Sequence, residues 1–349
     1  MKKLCAILLT IAMVMTLAAC GNAKTEAPAA TPAAVATSVP SDNAASEEAA
    51  VENTGWTPKK DVTFVVGFDA GGAADIPARV MAKYMSKYSG VNVVVTNIVG
   101  SAGQVAAKQV MESAPDGYTL LHIPVGYYLQ AALGNADFTY EDFSPVTMWC
   151  DSWVGLVVRA DSPYETYEDF VAAVKEKPNT VMMGSVSGTL PQLAALAIQQ
   201  KEDIAFKMVD LGSNNKATEL LGGRIDAYID GVGQVKQYVD SGDFRVLMAF
   251  AKDGTTIPGF DGLKTAGSLG YSDFDYLLQS FGMWMPAGAD AEVVQYWADI
   301  IKACSEDPEC IAELNALGYG ARHEEPADYA AICKAVLEGT RAAVAGLVG

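Results

Sequence analysis

The chain has 349 residues, half of them apolar and 19% charged, which suggests about two domains able to bury a core without metal or disulfide support. Its 42 acidic against 24 basic residues leave a formal charge of -18, a surface that repels phosphate backbones and anionic lipid headgroups, so no nucleic-acid partner is expected. Two histidines, His122 and His323, are too few for a histidine-rich metal site, and they limit acid–base catalysis near pH 7.

Lys2 and Lys3 precede an apolar run from Leu4 to Leu17 that is short for a bilayer span and is flanked like a signal peptide. It ends in Leu17-Ala18-Ala19-Cys20-Gly21, which resembles a bacterial lipobox. Residues 1–20 therefore read as a lipoprotein signal with Cys20 as the lipidated residue. The protein would then be extracytoplasmic and touch the membrane only through that lipid. An ordinary secretory signal is the alternative. Residues 21–56, rich in Ala, Pro, Thr, Ser and Glu, read as a disordered tether. Export permits disulfides, and Cys304 could pair with Cys310 or with Cys333. Cys150, inside the apolar run from Val146 to Val158, reads as a buried thiol in one strand-like segment.

The first strand spans Val62 to Gly67. The glycine-rich stretch Phe68 to Asp75 interrupts it, and helical spacing follows from Ile76 through Val80, Tyr84 and Tyr88. Asp75 reads as the N-cap, with Pro77 in the first turn. A strand at Val91 to Thr96, a loop at Asn97 to Gly103, a helix from Gln104 and a strand at Thr119 to Ile123 complete a βαβ pattern. It resumes with a helix at Tyr167 to Lys175 and a strand at Val181 to Met183. Loop 184–189, helix Leu190 to Gln200, strand Ala205 to Val209, helix Lys216 to Leu221 and strand Ile225 to Ile229 follow. Three helices, from Ala291, Cys310 and Pro326, end the chain. The pattern predicts an α/β protein of two lobes, each a mainly parallel sheet flanked by helices, with a cleft between them.

Small-residue loops recur at strand-to-helix junctions: 70–74, 100–103, 184–189 and 212–215. In open α/β sheets these junctions form the ligand crevice. Glycine lets N–H groups approach an anion, and the helix N-terminus adds positive potential. Such a site can hold a carboxylate without Arg or Lys. Nucleotide loops are not matched: Gly67 to Gly72 lacks the Gly-Lys-Ser/Thr ending and the G-x-G-x-x-G spacing. Gly184-Ser185-Val186-Ser187-Gly188 has the wrong spacing for a nucleophile elbow, and no histidine is well placed to serve it. The hydroxyls of Ser185, Ser187 and Thr189 suit ligand binding better than attack.

An ordered set of motifs resembles the substrate-binding proteins of tripartite tricarboxylate transporters, the Bug family. It comprises Phe68-x-Ala70-Gly71-Gly72-x-x-Asp75-x-x-Ala78-Arg79, Asn97-x-x-Gly100-x-x-Gly103, Ala114-Pro115-Asp116-Gly117-Tyr118-Thr119-Leu120-Leu121, Phe143-Ser144-Pro145-Val146-Thr147, Leu220-Leu221-Gly222-Gly223-x-x-Asp226 and Pro286-Ala287-Gly288. The resemblance covers nearly all of residues 58–345. It implies a periplasmic-binding-protein fold that closes like a flytrap on a small organic acid, commonly a di- or tricarboxylate, and delivers it to separate membrane permease subunits. It implies no enzyme activity, cofactor or metal, and a monomer is expected. Lobe 1 would comprise 57–158 plus 284–349, and lobe 2 residues 159–283. Carried over, ligand-binding residues are Phe68, Asp69, Ala70, Gly71, Gly72, Ala73, Ala74 and Asp75, then Ser101, Ala102, Gly103 and Gln104. Ser185, Ser187, Thr189 and Asp230 would face the ligand from the second lobe.

Three departures bear on the ligand. Ala74 stands where the family often has a hydroxyl, Asp69 where it usually has an apolar or small residue, and Leu211-Gly212-Ser213-Asn214 where it has Tyr-Lys-Gly-Gly. A lost cation and an added anion disfavour citrate. They also admit a monocarboxylate, or an amino acid whose amine pairs with Asp69 or Asp230. Other readings are a ligand-presenting co-receptor for a sensor kinase and an extracellular hydrolase.

Overall fold

The computed structural model describes residues 55–348, apart from 212–215, 273, 275, 276 and 278. The signal segment, Cys20, the tether up to residue 54 and the loop stretch 212–214 lie outside the described residues. Trp56, placed in the tether by its sequence, is docked instead. Its ring meets Tyr118, Tyr296 and Trp297 edge-on, and its backbone N–H donates to Glu292.

The first half of the chain builds β1 (Val62–Val66), α1 (Asp75–Ser89), β2 (Val93–Asn97), α2 (Gln104–Met111), β3 (Thr119–Pro124), α3 (Leu129–Ala132) and β4 (Phe143–Asp151). Next come β5 (Val154–Arg159), α4 (Tyr167–Glu176), β6 (Met182–Ser185), α5 (Leu190–Glu202), β7 (Lys207–Asp210), α6 (Lys216–Leu221), β8 (Ala227–Gly231), α7 (Val232–Asp240) and β9 (Phe244–Ala249). The chain returns through β10 (Phe281–Pro286), α8 (Ala291–Glu306), α9 (Pro308–Ala316), β11 (Gly320–Ala321) and α10 (Pro326–Val348). The first sheet has the order β11-β4-β10-β3-β1-β2 and the second β7-β6-β8-β5-β9.

Strand alternation sends successive residues to opposite faces. Phe64 and Val66 join the core under α1 and α8, while Val65 joins the core under α2 and α10. The second sheet repeats the device. Leu156 and Val158 face α4 and α5, and Val157 faces α6 and α7. The strands followed by glycine loops pair in parallel: β2-β1-β3 and β7-β6-β8. The remaining pairs are antiparallel, so each sheet is mixed. The cause lies in the strands that enter or leave at the lobe crossings, β4, β5 and β10, which all run against their neighbours.

The run 146–158 is two strands in different sheets, and the chain crosses between lobes at Ser152-Trp153. Val154–Arg159 therefore belongs to the second sheet. The return crossing precedes Phe281, because all of β10 is in the first sheet. The two crossing segments touch: Ser152 Oγ lies 3.4 Å from Gln279 Oε1, and Ser280 Oγ donates to Asp151 at 3.1 Å. Cys150, Cys304, Cys310 and Cys333 are all buried thiols, and neither candidate disulfide is formed. Cys304 and Cys310 instead pack in the apolar core of the first lobe, where burial pushes the Cys310 thiol up to about 12.

Candidate functional site

The link between β1 and α1 leaves backbone donors unused. Gly72 N–H closes on Asp69 O, and Asp75 and Ile76 N–H both close on Gly72 O. Ala74 caps α1 without a side-chain acceptor. Among the described residues, no acceptor holds the N–H groups of Ala73 and Ala74. Their carbonyls are held from beneath: Tyr319 Oη donates to Ala73 O at 3.0 Å, and His122 Nε2 lies 3.0 Å from Ala74 O. A carbonyl only accepts, so Nε2 carries the His122 proton. In a trans peptide the N–H opposes the C=O. Fixing Ala73 C=O toward the core therefore turns Ala74 N–H outward, at the positive end of the 15-residue α1.

His122 is fully buried among Phe64, Trp149 and Phe281. Burial lowers its pKa to about 3, against the opposing pull of Ala74 O and Asp75, so it is neutral at ordinary pH and is no base. Asp75 is the first residue of α1 rather than its cap. Its carboxylate takes Arg79 at 2.7 and 2.9 Å, Gly71 N–H at 2.8 Å and Asn97 at 2.9 Å. Burial works to raise its pKa, but these hydrogen bonds together outweigh burial and hold it below the usual range. Asp75 is thus a clasp for the loop, with no oxygen turned to a ligand.

The second loop runs Gly100, Ser101, Ala102, Gly103 with φ of 149°, 46°, 53° and 93°. Two non-glycine residues in succession here store backbone strain, on the order of 1–2 kcal/mol each. A Cβ at Gly67 would lie 3.1 Å from Gly103 Cα, so the two loops touch. Gly103 N–H closes on Gly100 O, while those of Ser101 and Ala102 have no acceptor among the described residues.

Both loops face the β6–α5 loop of the second lobe across a cavity of about 420 Å³. Phe68, Asp69, Gly72, Ala73, Ala74, Ser101, Ala102, Gly103, Ser187, Thr189 and Asp230 all line it. Ala70 and Gly71 line an adjoining chamber of about 270 Å³, which shares Asp69, Gly72, Lys216, Asp230 and Gln234 with the first. Asp75, Gln104 and Ser185 do not line the main cavity. Ser185 is buried at the end of β6, and Gln104 is half-buried at the start of α2. Ser187 Oγ donates to Asp210 at 2.7 Å and Thr189 Oγ1 to Val186 O at 2.7 Å, so both hydroxyl protons are already used.

Sequence reasoning missed Lys216. It is the first residue of α6, is 9% exposed, and lies 2.6 Å from Asp230 while lining both chambers. No local pattern in the sequence marks it, because its partner lies fourteen positions on. Gln130, Gln234 and Gln279 also line the main cavity. Gln130, on α3 of the first lobe, donates to Gly188 O of the second.

The arrangement binds rather than reacts. Among the described residues no cluster of ligating side chains could hold a metal. His323 lies outside the cavity, in a segment whose backbone is tied to β4 by Thr147 and Arg322.

A family profile described as "Tripartite tricarboxylate transporter family receptor" matches residues 77–341. The chain belongs to this family. A UPF0065 protein of Cupriavidus necator is 29% identical over 281 residues, 78% of this chain and 84% of that one. BugT of Bordetella pertussis is 29% identical over 245 residues, 68% of this chain and 74% of that one. A Rhodopseudomonas palustris protein solved with adipate shares the fold, at 24% identity and a TM-score of 0.74, covering 83% of this receptor and 98% of its own chain. The family is one of solute-binding receptors, not enzymes.

Proposed function

We propose that this protein is an extracytoplasmic receptor, lipid-anchored through Cys20, that captures a small organic carboxylate between its lobes and passes it to a tripartite tricarboxylate-type permease. One observation carries the reading: two glycine-bearing loops of the first sheet bring the N–H groups of Ala73, Ala74, Ser101 and Ala102, which have no acceptor among the described residues, to one hollow that the second lobe covers. Main-chain donors at a helix N-terminus suit a carboxylate without a cationic side chain. The adipate in a protein of the same fold supports that ligand chemistry. The Gln130–Gly188 hydrogen bond spans the cleft and is the kind of contact that lobe closure requires. Among the described residues no helix is long and apolar enough to cross a membrane, and the proposed anchor lies outside them.

Calorimetric titration with a panel of mono-, di- and tricarboxylic acids tests the reading. One acid should bind with a stoichiometry of one. Failure of every acid to bind, with folding intact, overturns it.

A further inference from the structure

A hollow lined by Asp69 and Asp230 invites an ammonium from an amino acid. At Asp230 that place is filled from within. Lys216 Nζ lies 2.6 Å from Asp230 Oδ2, 3.5 Å from Ile229 O and 5.8 Å from the centre of the Tyr228 ring. Asp230 Oδ1 accepts Gly231 N–H at 2.9 Å, so both carboxylate oxygens are engaged. A carboxylate, a carbonyl and an aromatic face are the partners with which a protein receives an ammonium. Here they receive the chain's own. Burial works against an unpaired lysine at residue 216, so Asp230 is what holds it there. Asp69 is half-exposed and more strongly screened by water than the buried pair.

We propose that Lys216 is a built-in occupant of an ammonium site, and that it restricts this receptor to carboxylic acids without an amine. The inference rests on the carboxylate-receptor reading above. An incoming ammonium must either displace Lys216 from Asp230 or sit beside a like charge. An amine-free acid meets a neutral pair and the apolar wall of Phe68, Leu129, Leu190 and Phe281. The pairing of a ligand amine with Asp230, which the sequence left open, is therefore pre-empted.

The test is calorimetry with matched ligands, hexanoate against norleucine and 3-phenylpropanoate against phenylalanine. The proteins are the wild type, Lys216→Ala and the double variant Lys216→Met with Asp230→Asn. The wild type should bind the amine-free member at least tenfold more tightly. Lys216→Ala should narrow or reverse that ratio by tenfold or more, and the double variant, lacking the Asp230 charge, should not. A wild-type preference for the amino acid overturns the proposal, as does an unchanged ratio in a folded Lys216→Ala protein. If Lys216→Ala does not fold, the wild-type ratio decides alone. If no acid of any kind binds the wild type, the receptor reading itself falls and this inference with it.

Discussion

The two walls of the cleft offer a ligand different groups. The wall on the first sheet offers main-chain N–H groups from loops 68–74 and 100–103, held from below by Tyr319, His122 and Asp75. The wall on the second sheet offers side chains: the Lys216–Asp230 pair and the hydroxyl oxygens of Ser187 and Thr189, whose protons go to Asp210 and to Val186 O. The first wall depends on backbone conformation and is uncharged apart from Asp69. The second depends on charge pairing. On the proposed reading the difference divides the roles: the first wall would capture the acid group, and the second would screen what else the ligand carries.

The largest effect expected on the first wall is from Gly103→Val. A β-branched residue at φ 93°, with its Cβ 3.4 Å from the rings of Phe68 and Tyr127, costs about 1–3 kcal/mol and displaces the loop. Affinity should drop by about 30-fold or more, with the circular dichroism spectrum kept. At Gly71, φ is 76° but an added Cβ meets nothing within 4 Å, and the residue lines only the side chamber, so Gly71→Ala should cost less. Equal losses would break the distinction between the two positions.

Stability against pH sharpens the support beneath that wall. The folded pKa of His122 lies at about 3, below its ordinary 6.5, so the unfolded chain binds the extra proton between those values. The His122 contribution is complete above pH 6.5 and is lost as pH falls toward 3. By pH 5 the loss amounts to about 2 kcal/mol. Asp75, also depressed, adds a loss below pH 3.8. Thermal melts of the wild type should fall between pH 7 and pH 5, and His122→Gln should flatten much of that slope. An identical slope in the variant would remove His122 from the account.

Tyr319→Phe should weaken binding by about fivefold, roughly 1 kcal/mol, because the Ala73 carbonyl loses its donor and Ala74 N–H its orientation. Ser187→Ala should change affinity by less than about twofold, since its proton goes to Asp210. If Ser187→Ala proved the more damaging of the two, the division of labour between the walls would be reversed.

The legible parts of the molecule follow the same divide. Strands, helices and glycine loops of both lobes could be read because side-chain period and positive-φ glycines leave local marks. The first wall was therefore visible as loops 70–74 and 100–103, although Ser101 and Ala102 gave no sign of their positive φ. The crossing at Ser152 was hidden because β4 and β5 are both buried and apolar, so their residues read as one run. The pairing of Lys216 with Asp230 joins positions fourteen apart, on a helix start and a strand end, and nothing local encodes it. Asp75 was misplaced for a related reason: an acidic residue at a helix start looks like a cap whether its carboxylate serves the helix or, as here, Arg79 and Asn97.

The most direct measurement is a crystal structure of the protein with its bound acid. The account predicts a carboxylate oxygen within ~3 Å of Ala73 or Ala74 N, with Lys216 still paired to Asp230. A carboxylate seated on Lys216, with the loop amides contacting water alone, would contradict it.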